Sequence, residues 1–184
     1  MAKTGVQIGS MRHVGMVLFL LALCAGCTSR RNELTPLVDA ARRGQAGQVR
    51  ALCAQGANPD QPSGGNDWTP LFHAVHKNQP DSAAALIEAG ATVDRATDSG
   101  MTPLMMAAGY GSTDMVKVLL AHGANPGLRD ADGAAAVDYA LTGMTDIDDF
   151  TWFRCQTETT RLLARVSPPA TDGARRWSHL KRCT

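Results

Sequence analysis

The sequence predicts an all-α repeat solenoid of about four helix–turn–helix units. Two observations carry this prediction. The triplet Thr-Pro-Leu recurs at Thr35, Thr69 and Thr102, at offsets of 34 and 33 residues. Behind each triplet, an Ala-containing pair, a Leu-led pair and a closing Gly-Ala follow in the same order. A fixed period of this length over three units indicates stacked units that bury their apolar faces on one another.

Composition and charge fit one compact domain. The chain has 184 residues, 44% of them hydrophobic and 5% aromatic, and a formal net charge of +1. The low aromatic content suits closely packed small helices better than a β-sandwich. A near-neutral balance creates no overall field that concentrates nucleic acid, so we expect no nucleic-acid partner.

Residues 1–27 have the layout of a secretory signal. A positive start at Arg12 precedes an apolar run over residues 14–23, and small residues then lead to Cys27. The run is shorter than the roughly 20 apolar residues of a spanning helix, so a permanent transmembrane helix is the alternative interpretation. The residues before Met11 have no role in this layout, so the start is either there or at the first residue.

The end of this segment resembles the lipobox of bacterial lipoproteins. Ala25 and Gly26 precede Cys27, although Cys24 stands where that family usually has Leu. The resemblance implies that Cys27 is acylated after cleavage and anchors the protein to a membrane on the periplasmic side. Thr28, in place of Asp after the cysteine, favours the outer membrane. The alternative is an ordinary signal that is cleaved nearby and leaves a soluble periplasmic protein.

Each residue type in the repeat has a physical role. Thr before Pro is typical of a helix start, because the hydroxyl caps the helix and Pro lacks only an amide that has no partner there. Small Ala side chains let the inner helices pack closely, and the Leu pairs fill the layer between repeats. The glycines that close the units supply the left-handed residue that ends an outer helix. They are Gly56, Gly90 and Gly123.

These features resemble ankyrin repeats, in which two antiparallel helices are followed by a β-turn finger. The resemblance implies an all-α ankyrin stack that binds rather than catalyses. It places an ankyrin domain at 34–166, after a linker at 28–33, with repeats near 34–67, 68–100, 101–133 and 134–166. The His that usually follows Thr-Pro-Leu in this family is replaced here, which removes a hydrogen bond that commonly ties neighbouring repeats. The replacements are Val38, Phe72, Met105 and Asp138.

The fourth unit is irregular. Its Thr-Pro has been lost, and its Leu pair lies 43 residues beyond Leu119-Leu120, where 33 are expected. About ten residues are therefore inserted around 142–155. We expect a modified last repeat that caps the stack, with a dedicated binding insert as the alternative. A tail follows at 167–184. We expect Phe150, Trp152 and Phe153 to cover the end of the stack. Trp177 and Leu180 suggest that the tail folds back, with a flexible end as the alternative.

Two cysteines near the C-terminus are candidates for a disulfide. Cys155 lies in the insert and Cys183 in the tail. In an oxidising periplasm the two thiols can persist as a bridge that pins the tail to the last repeat. Free thiols or redox sensing are the alternatives. Cys53 occupies a repeat position that Ile87 and Leu120 fill elsewhere, so we expect it to be a buried small hydrophobe.

No motif indicates catalysis or a cofactor. The chain has no glycine-rich phosphate loop and no paired Cys-x-x-Cys pattern. His73 and His76 lie three residues apart and could share a metal, but no third ligand is evident, so we expect a groove-facing pair instead. Asp146, Asp148 and Asp149 lack the spaced Gly and closing Glu of a calcium loop. We therefore predict no enzyme, no cofactor, no metal site and no small-molecule substrate.

The ankyrin resemblance also implies where a partner binds. Partner-specific residues in that family lie just before Thr-Pro-Leu and just after the Ala pair, because packing occupies the other positions. Trp68 is the central candidate, since an exposed indole beside Arg and His is typical of a binding hot spot. The alternative is that Trp68 folds over Gly64-Gly65 and shields that finger. The matching positions are Arg42, Arg43, Asn66, Trp68, His76, Lys77, Ser99, Met101, Tyr110 and Asp132.

The sequence thus predicts a non-catalytic scaffold or adaptor that faces the periplasm and binds one protein partner. Resemblance to small exported ankyrin proteins suggests a catalase-like enzyme, in peroxide defence, or a toxin, in immunity. One alternative is a metal-dependent sensor or enzyme with its site in the insert. The other is a lipid-tethered structural spacer without a specific partner.

Overall fold

A computed structural model describes residues 34–63, 68–143 and 157–171. These residues contain helices and no β-strand, which confirms the predicted all-α solenoid. The helices are α1 (Pro36–Arg42), α2 (Ala46–Ala54), α3 (Pro70–His76), α4 (Pro80–Glu88), α5 (Pro103–Gly109), α6 (Thr113–Ala121), α7 (Ala136–Thr142) and α8 (Thr157–Leu163).

The helices form two layers. The inner helices α1, α3, α5 and α7 pack on one another in chain order, and the outer helices α2, α4, α6 and α8 do the same. Each inner helix also packs on the outer helix that follows it. Consecutive units are therefore neighbours in both layers, as in a solenoid.

The Thr residues of the triplets cap the inner helices, as predicted. The hydroxyl of Thr35 accepts a hydrogen bond from the amide of Val38 at 3.3 Å, and Thr69 accepts from Phe72 at 3.4 Å. In each case Pro occupies the first turn. The same arrangement at Thr102 shows that one local device begins the first three inner helices.

Glycine closes the outer helices in the left-handed conformation. Gly56, Gly90 and Gly123 have φ angles of 94°, 96° and 86°. An L side chain is strained in this region, whereas glycine adopts it readily. The glycine that ends each unit is therefore required by the backbone, as the sequence predicted.

The core is built from small and branched side chains of both layers. Leu71, Leu86, Leu104 and Leu119 are completely buried, and the Ala residues of the inner helices fill the space between them. Small side chains allow the inner helices to approach closely, so the apolar area is buried with few aromatic residues.

Cys53 is half-buried rather than fully buried, which corrects our expectation. Ile87 and Leu120, which share its place in the repeat, are also half-buried and pack against the core. This place lies at the edge of the outer layer. Burial raises the pKa of the Cys53 thiol above its ordinary value, so the sulfur behaves mainly as an apolar atom.

Carboxylates tie successive units together at their turns. Asp60 accepts hydrogen bonds from the Thr92 amide at 3.0 Å and from the Thr92 hydroxyl at 2.6 Å. One period later, both carboxylate oxygens of Asp94 lie 3.1 Å from the Asn125 amide nitrogen. At the next equivalent place the chain has Gly127, so this tie ends with the third unit.

The fourth unit begins and ends differently. Ala135 has no hydroxyl to cap α7, and the buried carboxylate of Asp138 instead accepts from the Ala135 amide at 2.8 Å. A second oxygen of Asp138 accepts from the Thr171 amide at 2.5 Å. The segment after α8 is thereby held against the stack, and Ala170 packs on the core.

Several predicted features lie outside the described residues and stay predictions. They include the signal at 1–27 with Cys27, the linker at 28–33 and most of the insert. Within the described part, no helix combines the length and apolarity needed to cross a membrane. The residues concerned are Cys27, Asn66, Asp146, Asp148, Asp149, Phe150, Trp152, Phe153, Cys155, Trp177, Leu180 and Cys183.

Candidate functional site

Three predicted binding residues form a connected row, which we call the ladder: Trp68, His76 and Tyr110. The ring centroids of Trp68 and His76 are 5.3 Å apart, and those of His76 and Tyr110 are 5.9 Å apart. All three side chains are half-buried. The ladder therefore crosses from the second repeat to the third on the inner-helix side of the stack.

The Trp68 indole rests on its own repeat. It stacks on Phe72 with 6.1 Å between ring centroids and meets His73 edge-on at 5.6 Å. The carbonyl of Trp68 accepts from the Ser63 amide at 3.1 Å, which fixes the backbone at the base of the finger. These contacts hold the indole in one orientation, so little side-chain entropy remains to be lost when a partner binds.

A hydrogen bond joins the two repeats within the ladder. Nδ1 of His76 lies 3.1 Å from the hydroxyl oxygen of Tyr110. When His76 is neutral and protonated on Nε2, the Tyr110 hydroxyl donates and Nδ1 accepts. The bond connects the ends of α3 and α5, so the two aromatic groups keep a fixed spacing.

His73 does not face the groove, which corrects the predicted groove-facing pair. Its side chain is 7% exposed, and Nε2 lies 3.1 Å from the Ser63 carbonyl oxygen, to which it donates. Burial lowers the pKa of His73, and the neighbouring charges of Arg42 and Lys77 lower it further, against the bond to Ser63. His73 is therefore a neutral structural group beneath Trp68.

Cationic side chains flank the ladder, and we call them the basic flank: Arg42, Arg43 and Lys77. Arg42 is the last residue of α1 and is half-buried, whereas Arg43 and Lys77 are exposed at the ends of α1 and α3. Nε of Arg43 lies 3.1 Å from an Asp39 oxygen. The first two repeats thus bring five of the predicted binding residues to one region.

The remaining predicted residues belong to the fingers. Met101 is half-buried, packs on the core, and its carbonyl accepts from the Thr97 amide at 3.0 Å. Ser99 is exposed, with its hydroxyl 2.9 Å from that of Thr97, and its carbonyl accepts from Ala131 in the next finger. Asp132 is exposed, and its amide donates to Asp130 at 3.0 Å. Met101 is thus mainly a packing residue.

Two important residues were not among the predicted site positions: Phe72, which lies under the indole, and Ser63, which anchors both Trp68 and His73. Phe72 had a partial sequence signal, because Phe72 and His76 are four residues apart in the predicted helix and four-residue spacing shares one helix face. Ser63 had none, since its role depends on how the finger folds back on α3.

No group of three His, Cys, Asp or Glu side chains that could hold a metal occurs within residues 34–63, 68–143 and 157–171. In the same ranges, His73 uses Nε2 on a backbone carbonyl and His76 uses Nδ1 on Tyr110.

Comparisons with known proteins agree with the fold. A family model described as ankyrin repeats in three copies matches residues 10–97, and one described as ankyrin repeats in many copies matches residues 86–140. The first match extends into the predicted signal. No curated protein sequence matches at a significant level.

Among solved structures, the chain is similar to the crystal structure of the human ASB11 ankyrin repeat domain. The identity is 30% and the TM-score is 0.58. The similarity covers 72% of this chain and 54% of that chain, so this chain spans about half the length of the protein it matches.

The structure is therefore that of a repeat solenoid of the protein-binding type. The two family matches and the structural similarity support its assignment to the ankyrin repeat family. Ankyrin repeats are generally protein–protein interaction modules, and domains built from them are typically non-catalytic.

Proposed function

We propose that this chain is a non-catalytic adaptor that holds one protein partner against the ladder, on the periplasmic side of a bacterial membrane. The observation that carries the binding site is the ladder itself. Its three rings are half-buried, in mutual contact across two repeats, and anchored on Phe72 and Ser63. Aromatic groups that are rigid before binding are typical centres of a protein interface.

The membrane tether rests on the sequence. Ala25-Gly26-Cys27 after an apolar run supports lipidation of Cys27. Export to an oxidising periplasm would also allow a disulfide between Cys155 and Cys183 to persist. The partner classes that the resemblance suggests are a catalase-like enzyme and an incoming toxin.

The binding site is tested by cross-linking in a Gram-negative host that expresses the full chain with a C-terminal tag. We expect one dominant partner to be recovered with wild type and lost with Trp68→Ala. Tyr110→Phe, which keeps the ring but removes the bond to His76, should weaken recovery. His122→Ala is the matched control, because His122 is exposed at the end of the outer helix α6.

Because Trp68 packs on Phe72, its removal also affects folding. Thermal melts of each variant separate this effect, and Tyr110→Phe preserves the packing of the ring. Full recovery of the partner with both variants, at unchanged expression, would exclude the ladder as the binding site.

The tether is tested separately by membrane fractionation of wild type and Cys27→Ser. We expect wild type in the membrane fraction with a mass increase on Cys27, and the variant released from it. A chain that keeps residues 1–27 intact and stays in the cytoplasm would contradict export and remove the reason for the disulfide.

A further inference from the structure

The permanent charges of the inner helices are concentrated at one end of their row. α1 and α3, with the residues that end them, carry Arg42, Arg43 and Lys77 but only one carboxylate, Asp39. α5 carries no charged side chain. In α7 the only charged residue, Asp138, is 3% exposed. The ends of α1 and α3 are therefore cationic.

These cations are not neutralised equally. Asp39 is held by Arg43 at 3.1 Å. Within the described ranges, neither Arg42 nor Lys77 has an acidic group within ion-pair distance. Lys77 directly follows the ladder residue His76, and Arg42 ends α1, which packs on α3. After burial, both cations also contribute to the lowered pKa of His73, whose ring meets the Trp68 indole edge-on. In the part of the chain that the structure describes, the ends of α1 and α3 thus carry two cations that are not ion-paired with a carboxylate.

The helix dipole offers a competing explanation. A cation at the C-terminal end of a helix is stabilised by the backbone carbonyls, and all three cations stand at such ends. However, α5 is followed by Tyr110 and α7 by Gly143, so the same position in the later repeats does without a cation. Stacking of the units therefore does not require these charges.

The second and third fingers each carry two carboxylates and one cation, so they are more acidic than the ends of α1 and α3; the residues are Asp94, Arg95 and Asp98, and Arg129, Asp130 and Asp132. Asp132 is exposed at the tip of the third finger, and Asp130 accepts hydrogen bonds from the Asp132 amide and from the Tyr139 hydroxyl at 2.5 Å. A negatively charged ligand on the inner face is thus attracted by the ends of α1 and α3 and repelled near the acidic side chains of the fingers.

We propose that the ladder and the basic flank recognise an acidic partner segment in which a carboxylate adjoins an aromatic or large apolar side chain. The apolar group packs on Trp68, and the carboxylate pairs with Arg42 and Lys77. The acidic part of the segment lies over α1 and α3 and away from the third finger. This inference rests on the proposed binding site and specifies the chemistry of its partner.

The test uses random dodecapeptides displayed on phage, selected on the immobilised full chain. We expect the selected peptides to be enriched in Asp and Glu next to Trp, Phe, Tyr or Leu. A selected peptide synthesised with a fluorescent label should bind more weakly when ionic strength rises from about 0.05 M to about 0.3 M, because salt screens exposed charges.

Two charge-reversed variants locate the interaction. Lys77→Glu should lower the affinity for the labelled peptide about tenfold or more, since it places a carboxylate beside the acidic residues of the peptide. Arg165→Glu makes the same change in net charge at an exposed position after α8 and should leave binding unchanged. Equal losses in both variants, or none in Lys77→Glu, would overturn the assignment. So would selection of peptides without acidic enrichment.

Failure of this inference is distinguishable from failure of the proposed site. If the selected peptides lack acidic residues but lose binding with Trp68→Ala, the ladder binds partners and the charge inference is wrong. If acidic peptides bind and respond to Lys77→Glu but not to Trp68→Ala, the basic flank binds without the ladder and the proposed site is wrong.

Discussion

The second repeat and the fourth unit begin their inner helices with side-chain caps that pair different backbone amides. In the second repeat the Thr69 hydroxyl, ahead of the helix, accepts from the amide of Phe72. In the fourth unit Ala135 has no hydroxyl, and the Asp138 carboxylate, inside the first turn, accepts from the amide of Ala135. What the fold requires is a partner for an otherwise unpaired amide, and not a particular residue type.

The two caps differ in what else they do. The Thr hydroxyl caps one helix. The Asp138 carboxylate has two oxygens: Oδ1 accepts from the Thr171 amide, and Oδ2, which caps α7, also lies 3.9 Å from an Arg129 nitrogen. The fourth unit thus uses its cap to hold the segment that follows α8. The earlier units are tied to their neighbours by Asp60 and Asp94. Gly127 stands at the equivalent position after the third unit and has no side chain that could accept such a bond.

The largest expected effect is the loss of unfolding free energy when a core leucine is truncated, and it differs between the third repeat and the fourth unit. Leu104→Ala should lower the free energy of unfolding by about 3 to 5 kcal/mol, and Leu163→Ala by about 2 to 3 kcal/mol. Both side chains are fully buried, but Leu163 belongs to the last unit, which can relax around the cavity. Urea unfolding measures both values, and equal losses would show that the last unit is as rigid as the middle.

The next effect concerns the buried carboxylate. Asp138→Ala should cost about 1.5 to 3 kcal/mol, because it leaves buried amides without their charged acceptor. Asp138→Asn keeps one acceptor oxygen and should cost less. Hydrogen exchange at the Thr171 amide should accelerate in the Ala variant. If exchange there is unchanged, Asp138 does not hold the closing segment.

A smaller effect is expected for the hydroxyl cap. Thr102→Ala should lower stability by about 1 kcal/mol, because the amide of Met105 loses its acceptor. Thr102→Ser keeps the hydroxyl and serves as the control for the lost methyl group. A loss as large as that of Asp138→Ala would show that the two caps are energetically equivalent.

The smallest effect is a pH dependence in the second repeat. Because the folded state lowers the pKa of His73 below its ordinary value of 6.5, the unfolded chain binds this proton more tightly. Stability contributed by neutral His73 is therefore present above that value and is lost as the pH falls below it. The melting temperature of wild type should fall further than that of His73→Gln between about pH 7.5 and about pH 5.5.

His122→Gln is the control for this measurement, since His122 is exposed and its removal should leave the pH dependence of wild type intact. An identical decline in wild type and His73→Gln would show that protonation of His73 does not oppose folding.

The repeat period predicted the fold because each of its signals acts locally. Thr before Pro caps a helix wherever it occurs, and glycine ends one where φ must be positive, so the first three inner helices begin at the predicted residues. The cap of α7 was not predictable in this way. Asp138 was recognised only as a replacement for His, and its contact with Thr171 joins residues 33 positions apart.

The candidate site was predictable as a set of positions and not as a set of contacts. Trp68, His76 and Tyr110 follow from their places in the repeat, and the structure brings them into contact. Met101 has the same place in its repeat as Trp68, and both side chains are half-buried and pack on the core. Of the two, Trp68 joins the ladder because its indole meets the His76 ring.

By itself, the sequence determined that the chain is a helical repeat stack, because period, caps and closing glycines each act within a few residues. Only the tertiary structure decided the roles of His73 and His76. Residues three apart lie on nearly the same side of a helix, so spacing cannot distinguish them. The imidazole of His73 bonds the carbonyl oxygen of Ser63, and the imidazole of His76 bonds the hydroxyl of Tyr110 in the next repeat.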